Sequence, residues 1–376
     1  MTESLTPAQY IMIGGFLGAG KTTAVAKLAQ HLSAQGRRVG LITNDQGREL
    51  VDTKMLRSLG FNTEEISGGC FCCRFNSLVD AAQNLTAGNE PEVFIAEPVG
   101  SCTDLVATVT YPLRRIYGDS FRIAPLSVLV DPVRARRVFG LDQGGSFSDK
   151  VIYIYKKQLE EADILVINKR DLLSAEEIDE LAAVMRSEYP HAKVITTSAR
   201  HGSGLDEWFT ALLDGTQATR RTMSVDYDIY ADGEALLGWL NATVDLKAPD
   251  GVEADALLAS LAKSVHHRLQ SRNAEVAHFK MTLSSQDALS GEVAIINLVR
   301  NDYVPELCQQ LDDEINRAQI IVNLRAEAAP EDLAAILEEA LQETCHAYPG
   351  VTLTMEHKEF FRPGRPTPTH RDLVEV

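Results

Sequence analysis

The sequence predicts an α/β protein, a mostly parallel sheet with helices on both faces followed by a smaller α+β C-terminal domain. Three observations carry that prediction. Short apolar runs alternate with helix-length segments through the first 215 residues, a glycine-rich loop separates the first run from the first helix, and the alternation breaks at the small polar residues Asp214 to Thr219. A chain of 376 residues with 45% hydrophobic and 24% charged residues has room for two ordinary cores. The expected division is residues 1–215, a linker at 216–226, and a second domain at 227–376.

The first apolar run, Tyr10–Ile13, leads into Gly15-Phe16-Leu17-Gly18-Ala19-Gly20-Lys21-Thr22 and then a helix-like stretch from Thr23 to Leu32. This is a complete phosphate-binding P-loop in its proper strand–loop–helix setting. Gly15, Gly18, Ala19 and Gly20 turn backbone N–H groups inward, and the helix start at Thr23 adds its positive end. Lys21 is expected to reach the β/γ oxygens of a nucleotide and Thr22 to hold Mg²⁺. The runs Arg38–Thr43, Glu92–Ala96, Pro125–Val130, Ile164–Ile167 and Ala192–Thr196 continue the strand series. Ser174 and Glu177, three apart, form a capping box at the start of a helix over Ser174–Ser187.

The strand Ile164–Ile167 delivers Asn168-Lys169-Arg170-Asp171 at its carboxyl end, where open α/β sheets bind ligands. The Asp171 carboxylate can accept from both the ring N–H and the exocyclic amine of guanine, a pair that adenine does not offer. Lys169 can lie along the base, and Asn168 can tie this loop to the P-loop. Ser198 and Ala199, after the run Ala192–Thr196, are placed to add a backbone donor to the guanine oxygen.

Gly68-Gly69-Cys70-Phe71-Cys72-Cys73 puts three thiols within four residues. Such a soft donor set selects Zn²⁺ or Cu(I) over Mg²⁺ and leaves a fourth position for another side chain, water or a recipient protein. A buried packing loop and a redox pair are the alternatives. Cys102, Cys308 and Cys345 are scattered along the chain, so structural disulfides are not expected.

The succession Gly14 to Thr23, then Gly69-Cys70-Phe71-Cys72-Cys73, then Asn168-Lys169-Arg170-Asp171, resembles the CobW family of P-loop GTPases, relatives of HypB and UreG. The resemblance covers roughly residues 9 to 215. It implies a GTPase that binds Zn²⁺ or Co²⁺ at the Cys-x-Cys-Cys loop and couples nucleotide state to metal delivery or cobalamin-related metal handling. Where the family carries Asn-Glu-Phe-Gly, this chain has Asn44-Asp45-Gln46-Gly47. Asp45 therefore stands for Mg²⁺, the attacking water or the transition metal, or alternatively for a helix N-cap. Glu97-Pro98-Val99-Gly100 resembles the family's Glu-x-x-Gly, which implies Glu97 on a Mg²⁺-bound water and Gly100 N–H on the γ-phosphate, a switch that relaxes when that phosphate leaves.

The expected activity is slow hydrolysis of GTP, with Lys21, Thr22, Asp45 and Glu97 as the chemical residues and no assignable arginine finger. A client metalloprotein or corrinoid-related enzyme is the expected partner, and a homodimer stays open. The competing readings are a maturation factor that uses the cysteine loop only as a switch, and a nonenzymatic guanine-nucleotide-gated binding module. A net charge of −17 argues against nucleic acid. No run reaches the ~18 apolar residues of a membrane span, and the basic start of a targeting segment is lacking, so a cytoplasmic protein is expected. The nine histidines are dispersed, which favours a single thiolate site over metal storage.

In the second domain, strands are expected at Leu237–Leu246, Ala274–Leu283, Glu292–Leu298, Gln319–Leu324 and Thr352–Met355, with helices near Glu253–Gln270 and Pro330–Ala347. Tyr303–Arg317 reads as a further helix and the proline-rich tail after Phe361 as extended chain.

Overall fold

The computed structural model describes residues 7–44, 51–88, 90–217, 219–286, 293–311 and 314–374. It divides into one unit of Met1–Gln46, Leu59–Tyr230 and Pro366–Val376, and a second of Gly47–Ser58 and Ala231–Arg365.

In the first unit the apolar runs become strands because most of their residues are withdrawn from water. They are β1 (Ala8–Gly15), β2 (Val39–Asn44), β3 (Thr63–Ile66), β4 (Val93–Glu97), β5 (Phe121–Ile123), β6 (Ser127–Val130), β7 (Ile164–Ile167) and β8 (Lys193–Thr196). Their order is β3-β2-β4-β1-β6-β7-β8, with β5 also beside β1, and every pairing is parallel. The central strands β4, β6 and β7 are buried at every residue, as a parallel sheet covered on both faces requires. Helices Lys21–Ala34, Phe75–Gly88, Asp149–Glu161 and Ala175–Glu188 lie between successive strands, and Leu205–Asp214 follows the last of them. The capping box at Ser174 is present in full, with Glu177 N–H on Ser174 Oγ at 3.3 Å and Ser174 N–H on Glu177 Oε2 at 2.8 Å. Two strands escape sequence reading: β3 carries Glu64 and Glu65 at a sheet edge, and β5 has three residues.

The second unit is an antiparallel sheet of β9 (Leu237–Glu253), β10 (Glu275–Ser285), β11 (Val293–Leu298), β12 (Glu306–Gln309), β13 (Glu314–Glu327) and β14 (Thr352–Phe361), in the order β12-β11-β10-β13-β9-β14. Helices Ala254–Ser271 and Pro330–Ala347 contribute Leu257, Leu261, Leu333 and Leu337 to a core that also holds Leu240, Phe279 and Ile320. Among the described residues the helix expected at Tyr303–Arg317 is absent, with β12 and the start of β13 in its span. Leu307, Leu311 and Ile315 have helical spacing, but pairing of Leu307 with Ile296 and of Ile315 with Val252 outweighs it.

Residues expected as a linker are pinned to the first unit. The Arg220 guanidinium donates to the carbonyls of Glu161 and Ala162, and Tyr111 Oη donates to Arg220 O at 2.8 Å. The Glu161 carboxylate itself is buried, accepting from Thr103 Oγ1 and Val106 N–H at 3.2 Å each. Burial, reinforced by the Asp104 carboxylate nearby, pushes its pKa up to about 8. Asp104 in turn faces the Arg371 guanidinium at 2.6 Å.

Since the folded pKa of Glu161 is raised, the native state keeps a proton that the unfolded chain releases above its ordinary value near 4.5. Stability contributed by the neutral form is thus lost as pH rises toward 8. Glu161→Gln, which cannot ionise, is expected to flatten the fall in the first unit's denaturant midpoint over that window. Parallel stability–pH curves for the variant and the wild type would contradict this.

Candidate nucleotide site and thiol cluster

The carboxyl ends of β1, β7 and β8 bring three loops together. After β1 the chain turns through Phe16–Gly20 and enters the helix at Lys21, with Ala19 N–H on Phe16 O at 3.1 Å. Gly20 sits at φ 91°, and a Cβ there would lie 2.6 Å from Asn168 Nδ2, so a side chain would drive the loops apart. Asn168 clips all three loops. Its Nδ2 donates to Ala19 O at 2.9 Å, while its Oδ1 accepts from Ala199 N–H at 2.9 Å and Thr197 Oγ1 at 3.3 Å. The Ala199 N–H expected for guanine is therefore engaged by Asn168.

Lys169, at φ 54°, extends its Nζ to Gly18 O at 2.6 Å and to Asp131 Oδ2 at 2.9 Å. The Asp171 side chain is 30% exposed, with Ser198 Oγ donating to its Oδ1 and His201 Nε2 3.8 Å from its Oδ2. One carboxylate edge is anchored and the group remains accessible. Two residues here were not singled out from the sequence. Asp131 caps the helix Pro132–Val138 through Arg134 N–H at 3.0 Å and faces Lys169, while the Arg134 guanidinium donates to Leu17 O at 3.1 Å and lies over the Phe16 ring. Asp131-Pro132 after an apolar run was a readable cap signal; the reach of Arg134 was not.

Lys21 and Thr22 are buried at the helix start. Thr22 Oγ1 donates to Glu97 Oε1 at 3.0 Å, so a hydroxyl and a carboxylate from β4 converge on one spot beside the loop. These hard oxygen donors fit Mg²⁺. Asp45 lies outside the described residues.

The cysteines follow β3. A turn at Gly68-Gly69 leads into a helical turn in which Cys73 and Arg74 N–H groups bond Cys70 O at 3.0 and 2.8 Å, continuing into the helix Phe75–Gly88. Asn44, at the end of β2, holds the turn by donating from Nδ2 to Ile66 O at 2.9 Å and Gly69 O at 2.7 Å. Among the described residues one group of three metal-ligating side chains draws together, Cys70, Cys72 and Cys73, with sulfurs all within 4.8 Å. Their Sγ–Sγ separations are 2.9 Å for 70–72, 3.0 Å for 70–73 and 3.6 Å for 72–73.

Hydrogen bonds from Cys102, then Cys72 and Cys73, favour the Cys70 thiolate and hold its pKa well below the usual thiol range, against the opposing effect of burial. Cys72 moves the other way, chiefly through its bond to Cys70, and Cys73 is pushed up to about 11 by the same partner. Three thiols so close cannot all ionise without a cation among them, and the soft, half-enclosed donor set suits one Zn²⁺ or Co²⁺ ion, around which the sulfurs would spread to about 3.8 Å from one another.

Two features of the cluster were hidden in the sequence. Cys102, read as scattered, is 1% exposed and hydrogen-bonded to Cys70. The C-terminal tail, read only as extended, lies over the cysteines. Thr367 N–H donates to Cys73 Sγ at 3.3 Å, Thr369 N–H to Cys72 O at 2.8 Å and Thr369 Oγ1 to Cys73 O at 3.2 Å. The His370 ring packs edge-on against Phe75.

A parallel sheet, a glycine loop at a helix start and an Asn-Lys-x-Asp loop clipped to it define a nucleotide-binding domain of the P-loop GTPase class. The buried thiols beside it narrow the class further. The chain belongs to the CobW/HypB/UreG family, whose nucleotide-binding domain matches residues 9–196.

It is 31% identical over 183 residues to the zinc chaperone CobW of a Sinorhizobium species, covering 44% of this chain and 51% of that one. It is 24% identical over 271 residues to the zinc chaperone YjiA of Escherichia coli K12, covering 70% and 81%. A crystal structure of Zn(II)-bound YjiA from E. coli aligns over 89% of this chain and 99% of that one, with 17% identity and a TM-score of 0.38. The chain spans about half the length of the first curated relatives it matches. Among the described residues no helix is long and apolar enough to cross a membrane.

Proposed function

We propose that this protein hydrolyses GTP to GDP and phosphate and couples the nucleotide state to binding and delivery of Zn²⁺ or Co²⁺ at Cys70, Cys72 and Cys73. The observation that carries this reading is the half-enclosed three-thiol cluster in the same unit as the P-loop, its turn held by Asn44 from the end of β2. Names of relatives that are zinc chaperones support the metal.

Guanine would be read by Asp171, with Ser198 fixing the carboxylate and Lys169 alongside the base. Gly15, Gly18, Ala19, Gly20 and Thr23 would present backbone N–H groups to the phosphates. Lys21 would neutralise the β/γ oxygens as water attacks the γ-phosphorus and the bond to the bridging oxygen breaks, leaving GDP. Thr22 and Glu97 would hold Mg²⁺, which supplies charge neutralisation at the same oxygens. Glu97 and Asp45 would orient water, and Gly100 N–H would sense the γ-phosphate. The transition metal is cargo, passed to a client metalloprotein that displaces thiolates, and turnover without client or metal is slow.

Competition titration of Zn²⁺ and Co²⁺ tests the coupling, on wild type and Cys72→Ser, with GDP and with a nonhydrolysable GTP analogue. A cysteine-dependent affinity that differs about tenfold between nucleotides is expected, about 1.4 kcal/mol of coupling. Tight binding indifferent to nucleotide would make the metal structural, and no binding would favour a maturation factor that uses the loop only as a switch.

A further inference from the structure

Cys102 lies on the segment that follows β4, two residues beyond Gly100, far in sequence from the Cys-x-Cys-Cys loop. The fold nevertheless places its thiol against Cys70. The residue is 1% exposed, so it faces no water, and its side chain is hydrogen-bonded to that of Cys70, one of the three clustered sulfurs. Cys70, Cys72 and Cys73 supply three sulfurs, and Zn²⁺ or Co²⁺ in a sulfur-rich site takes four ligands in a tetrahedron. We propose that Cys102 is the fourth thiolate ligand and that it carries the nucleotide signal to the metal. This rests on the metal-coupled reading above and deepens it by naming the ligand through which the coupling acts.

The connection to the P-loop is short. Gly100 packs directly on the P-loop, where an added Cβ would lie 2.9 Å from Leu17 N and collide with the Leu17 side chain. The buried Gln158 amide, on the helix Asp149–Glu161, donates from Nε2 to both Gly100 O at 2.9 Å and Cys102 O at 2.8 Å. Cys102 N–H also bonds Val99 O at 3.0 Å. A displacement of Gly100 at the phosphates therefore displaces Cys102 as well. The tight sulfur group with mutual distances within 4.8 Å comprises Cys70, Cys72 and Cys73, and Cys102 joins it through Cys70. Closing the tetrahedron requires Cys102 to move toward Cys72 and Cys73, and the Gly100–Gln158–Cys102 link is placed to supply or withdraw that movement. The N–H of Thr367 on Cys73 Sγ is the kind of outer hydrogen bond that steadies a metal thiolate.

The test uses the full chain loaded with one equivalent of Zn²⁺ or Co²⁺, comparing wild type, Cys102→Ala, Cys102→Ser and the thiol-number control Cys345→Ala. X-ray absorption at the zinc edge counts sulfur neighbours, and the visible absorption of the Co²⁺ form reports tetrahedral thiolate ligation. Wild type and Cys345→Ala are expected to give four sulfurs in at least one nucleotide state, and both Cys102 variants three. Metal affinity should fall about tenfold or more in the Cys102 variants and lose its dependence on GDP against a GTP analogue. Unchanged GDP affinity certifies the fold, and should Cys102→Ala lose it, Cys102→Ser decides. Wild-type spectrum and affinity in a folded Cys102 variant would overturn the role of Cys102 while leaving the metal-coupled reading intact. A wild-type protein that binds neither metal would overturn both.

Discussion

Asp171→Asn is expected to weaken GTP binding by about 100-fold, near 2.7 kcal/mol, and to make xanthosine triphosphate the preferred ligand. The carboxylate has two acceptor edges. Ser198 Oγ donates to Oδ1, which fixes the plane of the group, and the 30% exposure of the side chain leaves it open to an incoming base. Guanine presents two donors, and an amide in place of the carboxylate sets an NH₂ group against one of them. One unmade hydrogen bond in a closed site costs about 1–3 kcal/mol, and the donor–donor contact that replaces it places the loss toward the upper end of that range. Xanthine carries a carbonyl where guanine has its amine, so the same amide pairs with it. Displacement of a fluorescent GDP by GTP, ATP and the xanthine nucleotide reads the outcome. Equal GTP affinity in variant and wild type would remove Asp171 from the base site.

The legible and illegible parts of this molecule separate by physical origin. The P-loop, the Asn168–Asp171 loop and the thiol run are local patterns: each places its groups through the geometry of a few consecutive residues, so spacing alone announces them. The strands that carry them were readable because β4, β6 and β7 are buried on both faces and hence apolar throughout. What escaped depends on contacts between distant residues. Cys102 meets Cys70 only because β4 runs two strands in from the edge strand β3. The tail reaches the cysteines through main-chain N–H groups of Thr367 and Thr369, which any sequence could supply. The Tyr303–Arg317 segment has a helical spacing of leucine and isoleucine, yet its neighbours β11 and β9 offer open edges that a strand can use and a helix cannot.

The largest loss of activity is expected from Lys21→Ala. Lys21 is 7% exposed at the first residue of its helix, so the charge is held in a largely dry loop at the place where the β and γ oxygens would lie. Charge builds on the bridging and β oxygens as a γ-phosphoryl group departs, so the ammonium would stabilise the transition state more than bound GTP. Removing a preorganised donor of this kind lowers turnover by about 10²–10³-fold, while the remaining backbone N–H groups keep GDP bound with a smaller loss. Single-turnover phosphate release, read beside GDP affinity, separates the two effects.

The same variant probes the coupling. If the γ-phosphate acts on the metal through Gly100 and the thiol loop, a P-loop that no longer holds that phosphate firmly should bind Zn²⁺ equally with GDP and with a GTP analogue. Loss of hydrolysis together with loss of the metal difference would trace both to one bound phosphate. Loss of hydrolysis with the metal difference intact would mean that the thiols respond to the base or the α/β phosphates, and the Gly100–Gln158–Cys102 link would then not be the route.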